Sequence, residues 1–287
     1  LFGRGGTGGI LNRVTKKPQL DQAFLDYNAG IDTFGGYATR FDGNVSTGPQ
    51  SALRVNAMVA SVDNHRDFYD GDRVGLNPKF RYALSESTTF DVSYEYIDHE
   101  RFIDRGIPTA GGRPVEALQD IVFGDPDNNF HELTAHVVRA NAEHLFSDRV
   151  KGNINVFYGD YDKVYANFYA TDYDAATQVV ELDGYIDDTL RQNLIVSGNL
   201  IAEVMTGEVE HTLIAGVEFI DTASDQSRFN PEFSTSQADR ESLITTRPLA
   251  LAGGRGVNAD GASFQVGFSD FNDDTSVDLS VTSLFIQ

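Results

Sequence analysis

The sequence has no cysteine, which excludes disulfide staples and thiolate chemistry and leaves the compartment open. It also has no apolar run of the roughly 18 residues that a membrane-crossing helix needs. That absence does not argue against a β-barrel, whose strands are compatible with a chain of 40% hydrophobic and 23% charged residues. Net positive charge is missing too. A formal charge of −21 lacks the basic face that nucleic-acid binding requires, and its acids crowd into loop-like stretches that read as solvated surface. Asp270-Phe271-Asn272-Asp273-Asp274 lacks the glycine and distal glutamate of a calcium loop. No Ser/His/Asp constellation gathers on one rim. His131 and His136, five residues apart, are expected on opposite faces of a strand, so the sequence gives no support to an enzyme.

What the sequence does have is a period of two. Leu25, Tyr27, Ala29 and Ile31 alternate with Asp26, Asn28, Gly30 and Asp32, and Tyr37, Thr39, Phe41 and Val45 alternate with Arg40, Asp42 and Asn44. The same alternation runs through Leu53–Val59, Leu76–Leu84, Phe90–Tyr96, Val138–Phe146, Ile154–Tyr158, Leu190–Leu200, Val209–Phe219 and a strand beginning at Val277. Pro78 is awkward inside a paired strand, because it has no N–H to give the ladder. Connections at Gly48–Ser51, Ser85–Ser87, Ser147–Arg149 and Thr206–Glu208 are tight, whereas the stretches 98–131, 166–188 and 220–274 read as long loops.

One trimmed rim, one elaborated rim and strands with one apolar face predict an all-β fold, a transmembrane antiparallel up-and-down β-barrel with its long loops outside. A soluble β-sandwich alternates as well, but its strands are shorter and its connections lack this two-rim asymmetry. The phase follows from the cost of charge: Arg40 or Arg54 on the lipid face would cost about 2 to 4 kcal/mol near the midplane, which excludes a one-residue slip. Phe80, Tyr82, Tyr94, Tyr96, Phe157 and Tyr158 are expected at strand ends or outward positions, as in an interfacial girdle. About ten strands cannot close around a plug, so the chain reads as part of a longer one.

The segment before these strands, Leu1-Phe2-Gly3-Arg4-Gly5-Gly6-Thr7-Gly8-Gly9-Ile10-Leu11-Asn12-Arg13-Val14-Thr15-Lys16-Lys17-Pro18, is dense in glycine and basic. It contains G-x-G-x-x-G at Gly3, Gly5 and Gly8, but no strand precedes it and Pro18 follows where a phosphate-binding loop would need a helix. The segment resembles the end of the plug domain of TonB-dependent outer-membrane receptors, with Phe2 and Thr7 as departures. Phe102–Val115, continued by Phe123–Asp127, is similar to the third external loop of the siderophore receptors of that family.

The resemblance implies residues 1–19 as the end of a plug and 20–287 as the first ten or so of about 22 barrel strands, in the outer membrane of a Gram-negative bacterium. It also implies a ferric siderophore as cargo, with iron present only in that chelate and no cofactor. The remaining implied partners are the TonB–ExbB–ExbD complex, reached through a segment not in this chain, and outer-membrane lipid and lipopolysaccharide. A bulky chelate needs aromatic walls and a few placed guanidinium groups. On that ground Arg101, Phe102, Arg105, Arg113, Tyr161, Tyr165, Phe168 and Tyr169 are the candidate ligand contacts. Arg4 and Arg13 are expected to contact the barrel wall from the plug. Import of cobalamin, a carbohydrate or another metal complex, or passage through a passive porin, remain as alternatives.

Overall fold

The computed structural model describes residues 14–125, 128–233, 243–245, 255–257 and 263–287. Arg4 and Arg13, with most of the glycine-rich segment, lie outside the described residues. The strands are β1 (Phe24–Ile31), β2 (Tyr37–Gly48), β3 (Ser51–Asp63), β4 (Asp70–Ser85), β5 (Thr88–Phe102), β6 (Thr109–Ala110), β7 (Arg113–Pro114), β8 (Phe130–Ser147), β9 (Val150–Asp174), β10 (Val179–Thr206), β11 (Val209–Phe233), β12 (Leu243–Thr245), β13 (Arg255–Val257) and β14 (Ser263–Ile286). Twelve of them form one open sheet in the order β1-β2-β3-β4-β5-β8-β9-β10-β11-β14-β13, with β12 against β10, and β6 and β7 form a separate small hairpin. Every pairing is antiparallel between chain neighbours once the small strands are set aside. Among the described residues no helix is long and apolar enough to cross a membrane.

The trimmed rim is made of two-residue hairpins, as Ser85 pairs with Thr88, Ser147 with Val150 and Thr206 with Val209. Gly207 takes φ 66° as the first loop residue of the last hairpin, a conformation that glycine adopts without a Cβ clash. At the other rim the expectation of long loops is corrected. Residues 166–174 and 179–188 continue β9 and β10 as one ladder to a turn after Asp174, and β11 runs on to Phe233. Polar side chains here signalled a loop, but backbone pairing needs no apolar face once a strand has risen above the lipid. A further connection on this rim, residues 64–69 between β3 and β4, has no counterpart among the long loops read from the sequence.

Between the two rims register carries the two faces unchanged from strand to strand. One face presents Leu25, Tyr27, Phe41, Val45, Val59, Leu76, Phe80, Val92, Ile154 and Leu200 to the surroundings, each more than a third exposed, the exposed apolar band that a lipid-facing wall requires. Tyr82 and Phe90 pair near the trimmed rim. Near the other rim Tyr94 Oη lies 2.7 Å from His136 Nδ1, with the Tyr96 ring 5.2 Å from the same imidazole. His136 thus faces outward and His131 inward, as the five-residue spacing predicts. Phe157 departs from expectation: it lies on the inner face beneath the Arg139 guanidinium, 5.3 Å from the ring centroid, because it is one residue out of phase with Val156 and Tyr158.

The inner face is polar and internally neutralised in its lower half. Arg54 makes a bidentate contact with Asp42 at 2.8 and 2.7 Å, Arg81 reaches Asp91 at 2.6 Å and Arg139 reaches Glu95 at 2.7 Å. Across it runs the segment that leads into β1. Lys16 joins Asp42 at 2.6 Å, Arg54 donates to the Lys17 carbonyl, and Asn44 bonds Gln19 and Gln22. Each contact satisfies a backbone or charged group that would otherwise be stranded against the wall.

Pro78 is accommodated by its neighbour. The β4–β5 ladder keeps one register on either side of Asn77 and Pro78 while those two rungs are missing, and the Tyr94 carbonyl instead accepts Asn77 Nδ2 at 2.8 Å. Asn77→Ala removes that replacement donor, and a loss of about 1 to 3 kcal/mol is expected for the orphaned carbonyl, read from urea unfolding of the full-length protein in lipid vesicles. Val55→Arg on the apolar face is expected to cost about 2 to 4 kcal/mol in the same measurement, and Asn56→Arg, one residue on and facing inward, far less.

Candidate functional site

The elaborated rim is organised by residues 103–129, which join β5 to β8. Because β8 stops at Phe130 while β9 continues to Asp174, the upper part of β9 would have an unpaired edge. Asn129 fills the next rung with its side chain. Its Oδ1 accepts the Phe168 N–H at 3.0 Å and its Nδ2 donates to the Phe168 carbonyl at 3.1 Å, while the same amide accepts Asp125 N–H and donates to the Ile103 carbonyl, both at 2.9 Å. Two donors and two acceptor sites are the full capacity of an asparagine, and all are used in a fully buried position.

The loop is clamped at a second place. Arg66, in the β3–β4 connection, holds Asp104 at 2.6 Å and donates to the carbonyls of Gln119 and Ile121. Apolar packing completes the anchorage: Phe123 joins Phe168, Val180 and Leu182, with Ile107, Leu118 and Ile121 against them, and Phe102 packs with Val122 and Tyr69. A Cβ at Gly184 would collide with the Asn167 carbonyl and the Phe168 ring, so glycine is what lets that ring lie flat on β10. The described part of the stretch is fixed to the wall and is not a free strap.

Held this way, the loop aims Arg105 at the inner face of the β9–β10 extension. Arg105 Nη1 lies 3.1 Å from Asn167 Oδ1, 3.3 Å from Tyr165 Oη and 3.4 Å from Tyr185 Oη, and its guanidinium sits 5.2 Å from the Tyr169 ring centroid. Tyr165 and Tyr185 stack with centroids 6.1 Å apart, and Tyr169 meets Tyr185 edge-on. On the far side of Tyr185 the Arg228 guanidinium lies 4.3 Å from the ring centroid and pairs bidentately with Asp187 at 2.6 Å. Burial works against the Arg105 charge, but the hydroxyls of Tyr185 and Tyr165 accept its hydrogen bonds and its pKa ends up raised. Burial, and then the Asp183 carboxylate, push the Tyr169 phenol up. The site therefore holds a guanidinium among three phenol rings, a surface suited to flat, oxygen-rich and aromatic ligands.

The sequence candidates divide accordingly. Arg105, Tyr165 and Tyr169 meet in this cluster, and Arg101 lies beside it, its rung shared with His131, whose own rung is shared with Tyr165. Phe102 and Phe168 are corrected: 5% and 0% exposed, they are the loop's packing core and offer no face to a ligand. Arg113 stands exposed on the β6–β7 hairpin, its side chain without a hydrogen bond or ion pair among the described residues. Tyr161 faces inward lower down, its ring folded over Gly159. Sequence reading missed Tyr185, Asn167, Arg228 and the organising Asn129. The first three come together only through the β9–β10 and β10–β11 registers, and no motif marks the fourth.

With this geometry in hand, comparison with known proteins is informative. No family model matches the chain. In sequence it is 25% identical over 231 residues to the metal-pseudopaline receptor CntO of Pseudomonas aeruginosa, covering 76% of this chain and 31% of that protein. It is 37% identical over 108 residues to the probable TonB-dependent receptor BfrD of Bordetella pertussis, covering 37% and 14%. In structure it superposes on the ferric-catecholate import receptor Fiu of Escherichia coli with a TM-score of 0.71 at 17% identity, covering 97% of this chain and 49% of that one. The ferripyoverdine receptor of P. aeruginosa gives 0.77 at 13%, covering 94% and 35%.

The chain has the barrel-wall fold of the TonB-dependent siderophore receptors. It spans about a third of the length of CntO, and the open sheet is a segment of such an outer-membrane barrel. The relatives in the comparison are receptors and transporters, not enzymes.

Asn129→Ala strands the Phe168 N–H and carbonyl in a dry site, at about 1 to 3 kcal/mol for each orphaned group. The expected outcome is new protease cleavage within residues 103–129 of the full-length protein, with the transmembrane strands still resistant. Asn129→Asp keeps the acceptor but loses both donors and is expected to be cleaved as well.

Proposed function

We propose that the whole protein is an outer-membrane receptor for high-affinity, TonB-coupled import of ferric siderophores, with residues 1–19 as the end of its plug and 20–287 as the first part of its barrel. The observation that carries this reading is the guanidinium held among Tyr165, Tyr169 and Tyr185 on the inner side of the outer rim. A chelate entering from outside would meet aromatic faces for contact area and charged N–H groups for its oxygens. Arg105, Tyr165, Tyr169, Tyr185 and Arg228 form the contact set, with Arg101 beside it. Iron enters as part of the cargo, the protein needs no cofactor, and no catalytic step is involved. Energy would come from the TonB–ExbB–ExbD complex acting on the plug, and the apolar face would meet lipid and lipopolysaccharide.

A TonB-dependent importer of another cargo is the second reading, favoured by the name of one relative, whose cargo is given as metal-pseudopaline. The test is uptake by the full-length protein in outer membranes of a panel of iron-loaded siderophores, with and without the proton-motive force. Submicromolar binding with force-dependent uptake is the expected result. Uptake that persists without the force would indicate a passive porin, and absence of binding across the panel would shift the cargo to cobalamin, a carbohydrate or another complex.

A further inference from the structure

The charge of −21 is not spread evenly through the wall. Above the Tyr94–His136 row the strands place opposite charges on their two faces. Outward, Asp72, Glu100 and Glu132 share one line of rungs and Asp98 and Asp162 the next, with Asp188 beyond them. Inward, at the same heights, stand Arg73, Arg101, Lys163 and Arg191, and Arg105 reaches in from the loop.

None of these five inner cations meets a carboxylate among the described residues. Arg73 touches His99 at 3.4 Å, Arg191 touches Ser224 at 3.3 Å, and Arg105 has three neutral acceptors. The acids nearby are engaged elsewhere: Asp187 holds Arg228, Asp104 holds Arg66, and Asp183 accepts the Tyr169 hydroxyl at 3.4 Å. Lower on the same face the acids Asp42, Asp91 and Glu95 are each paired with an arginine, and Lys79 among them reaches the Thr15 hydroxyl, so the five cations of the upper wall stand without the carboxylate partners that the lower arginines have. Between the cations lie His99 and His131, their rings 5.4 Å apart. Burial first, and then Arg73 and Arg101 beside His99, and His99, Arg101 and Lys163 beside His131, hold both imidazoles below their ordinary range. The protein thus keeps its two titratable bases neutral where it concentrates permanent positive charge.

A strongly acidic chain gains nothing structural from leaving five cations unpaired on one concave surface. Unpaired guanidinium and ammonium groups in a walled space focus the potential and draw anions to it, and guanidinium groups add directed bonds to oxyanions. We propose that the cargo of this receptor is a net-anionic chelate of the catecholate type, captured by the Arg101–Arg105–Lys163 face, and that neutral and cationic hydroxamate chelates are discriminated against there. This rests on the receptor reading above and narrows it.

The test uses the full-length protein in outer-membrane vesicles and three iron probes of differing charge: an anionic ferric tris-catecholate, neutral ferrichrome and cationic ferrioxamine B. The expected order is tight binding of the catecholate with weak or absent binding of the other two, and a catecholate affinity that falls as salt rises. Arg101→Gln and Lys163→Gln, neither of which breaks an ion pair, are each expected to lower catecholate affinity about fivefold while heat-modifiable migration of the folded barrel is unchanged. Arg101→Glu is expected to lower it further. Tighter binding of ferrichrome or ferrioxamine B, or a catecholate affinity indifferent to both salt and these substitutions, would overturn the proposal and leave the receptor reading standing. Failure of every ferric probe to bind would overturn this proposal together with the ferric-siderophore reading on which it rests, and shift the cargo to another complex.

Discussion

The antiparallel ladder is the constraint on which the rest of this structure depends. In a lipid wall every backbone N–H and C=O must be paired within the sheet, and pairing at fixed register assigns each side chain to one of two faces with no freedom left. The cost of violating that assignment explains how the chain treats its irregularities. Pro78 cannot donate, so Asn77 donates for it, and β8 ends early, so Asn129 supplies the missing rung to Phe168. Both repairs use a carboxamide, the side chain whose donors and acceptor match those of a peptide group.

Once the faces are fixed, charge follows. A carboxylate or guanidinium in this wall has only the inner face, or the outer face above the aromatic row, to occupy. The lower inner face resolves this by pairing, with Arg54 between Asp42 and the incoming Lys17 carbonyl as the tightest case. The upper wall resolves it by separation, acids outward and cations inward. A net charge that looks hostile to an anionic ligand is therefore compatible with a basic interior, because the acids stand on the other side of a sheet one residue thick.

The outer rim combines the two themes. Strands that have left the lipid continue as an extended β9–β10 hairpin, and the 103–129 stretch is fastened to its edge by Asn129, to the β3–β4 connection by Arg66 and to its apolar side by Phe123 and Phe168. With three independent attachments the loop positions Arg105 as firmly as a strand residue would be held, which is what a ligand site needs if binding is not to pay for ordering a loop.

The alternation from Leu25 to Phe219 was enough to set the fold class, the lipid phase and the trimmed rim, because a period of two repeated over nine segments has no other stable outcome beside a bilayer, and the cost of a lipid-facing Arg54 selects the face. The plug-like segment and the Phe102–Val115 stretch were read by likeness alone, and most of the first lies outside the described residues. The length of the upper strands was not, since Asp172 and Asp183 look like loop residues until backbone pairing is seen to outlast the apolar pattern. The grouping of the site was not either. Tyr185 lies sixteen to twenty residues from Tyr169 and Tyr165 along the chain and beside them across one ladder, and Phe168, an exposed aromatic on sequence terms, became core once the loop folded over it. Sequence determined which face each residue takes, a local property of alternation. Tertiary structure decided which residues meet on that face, because that depends on the register between strands, which hydrogen bonds across the ladder set and no single strand encodes.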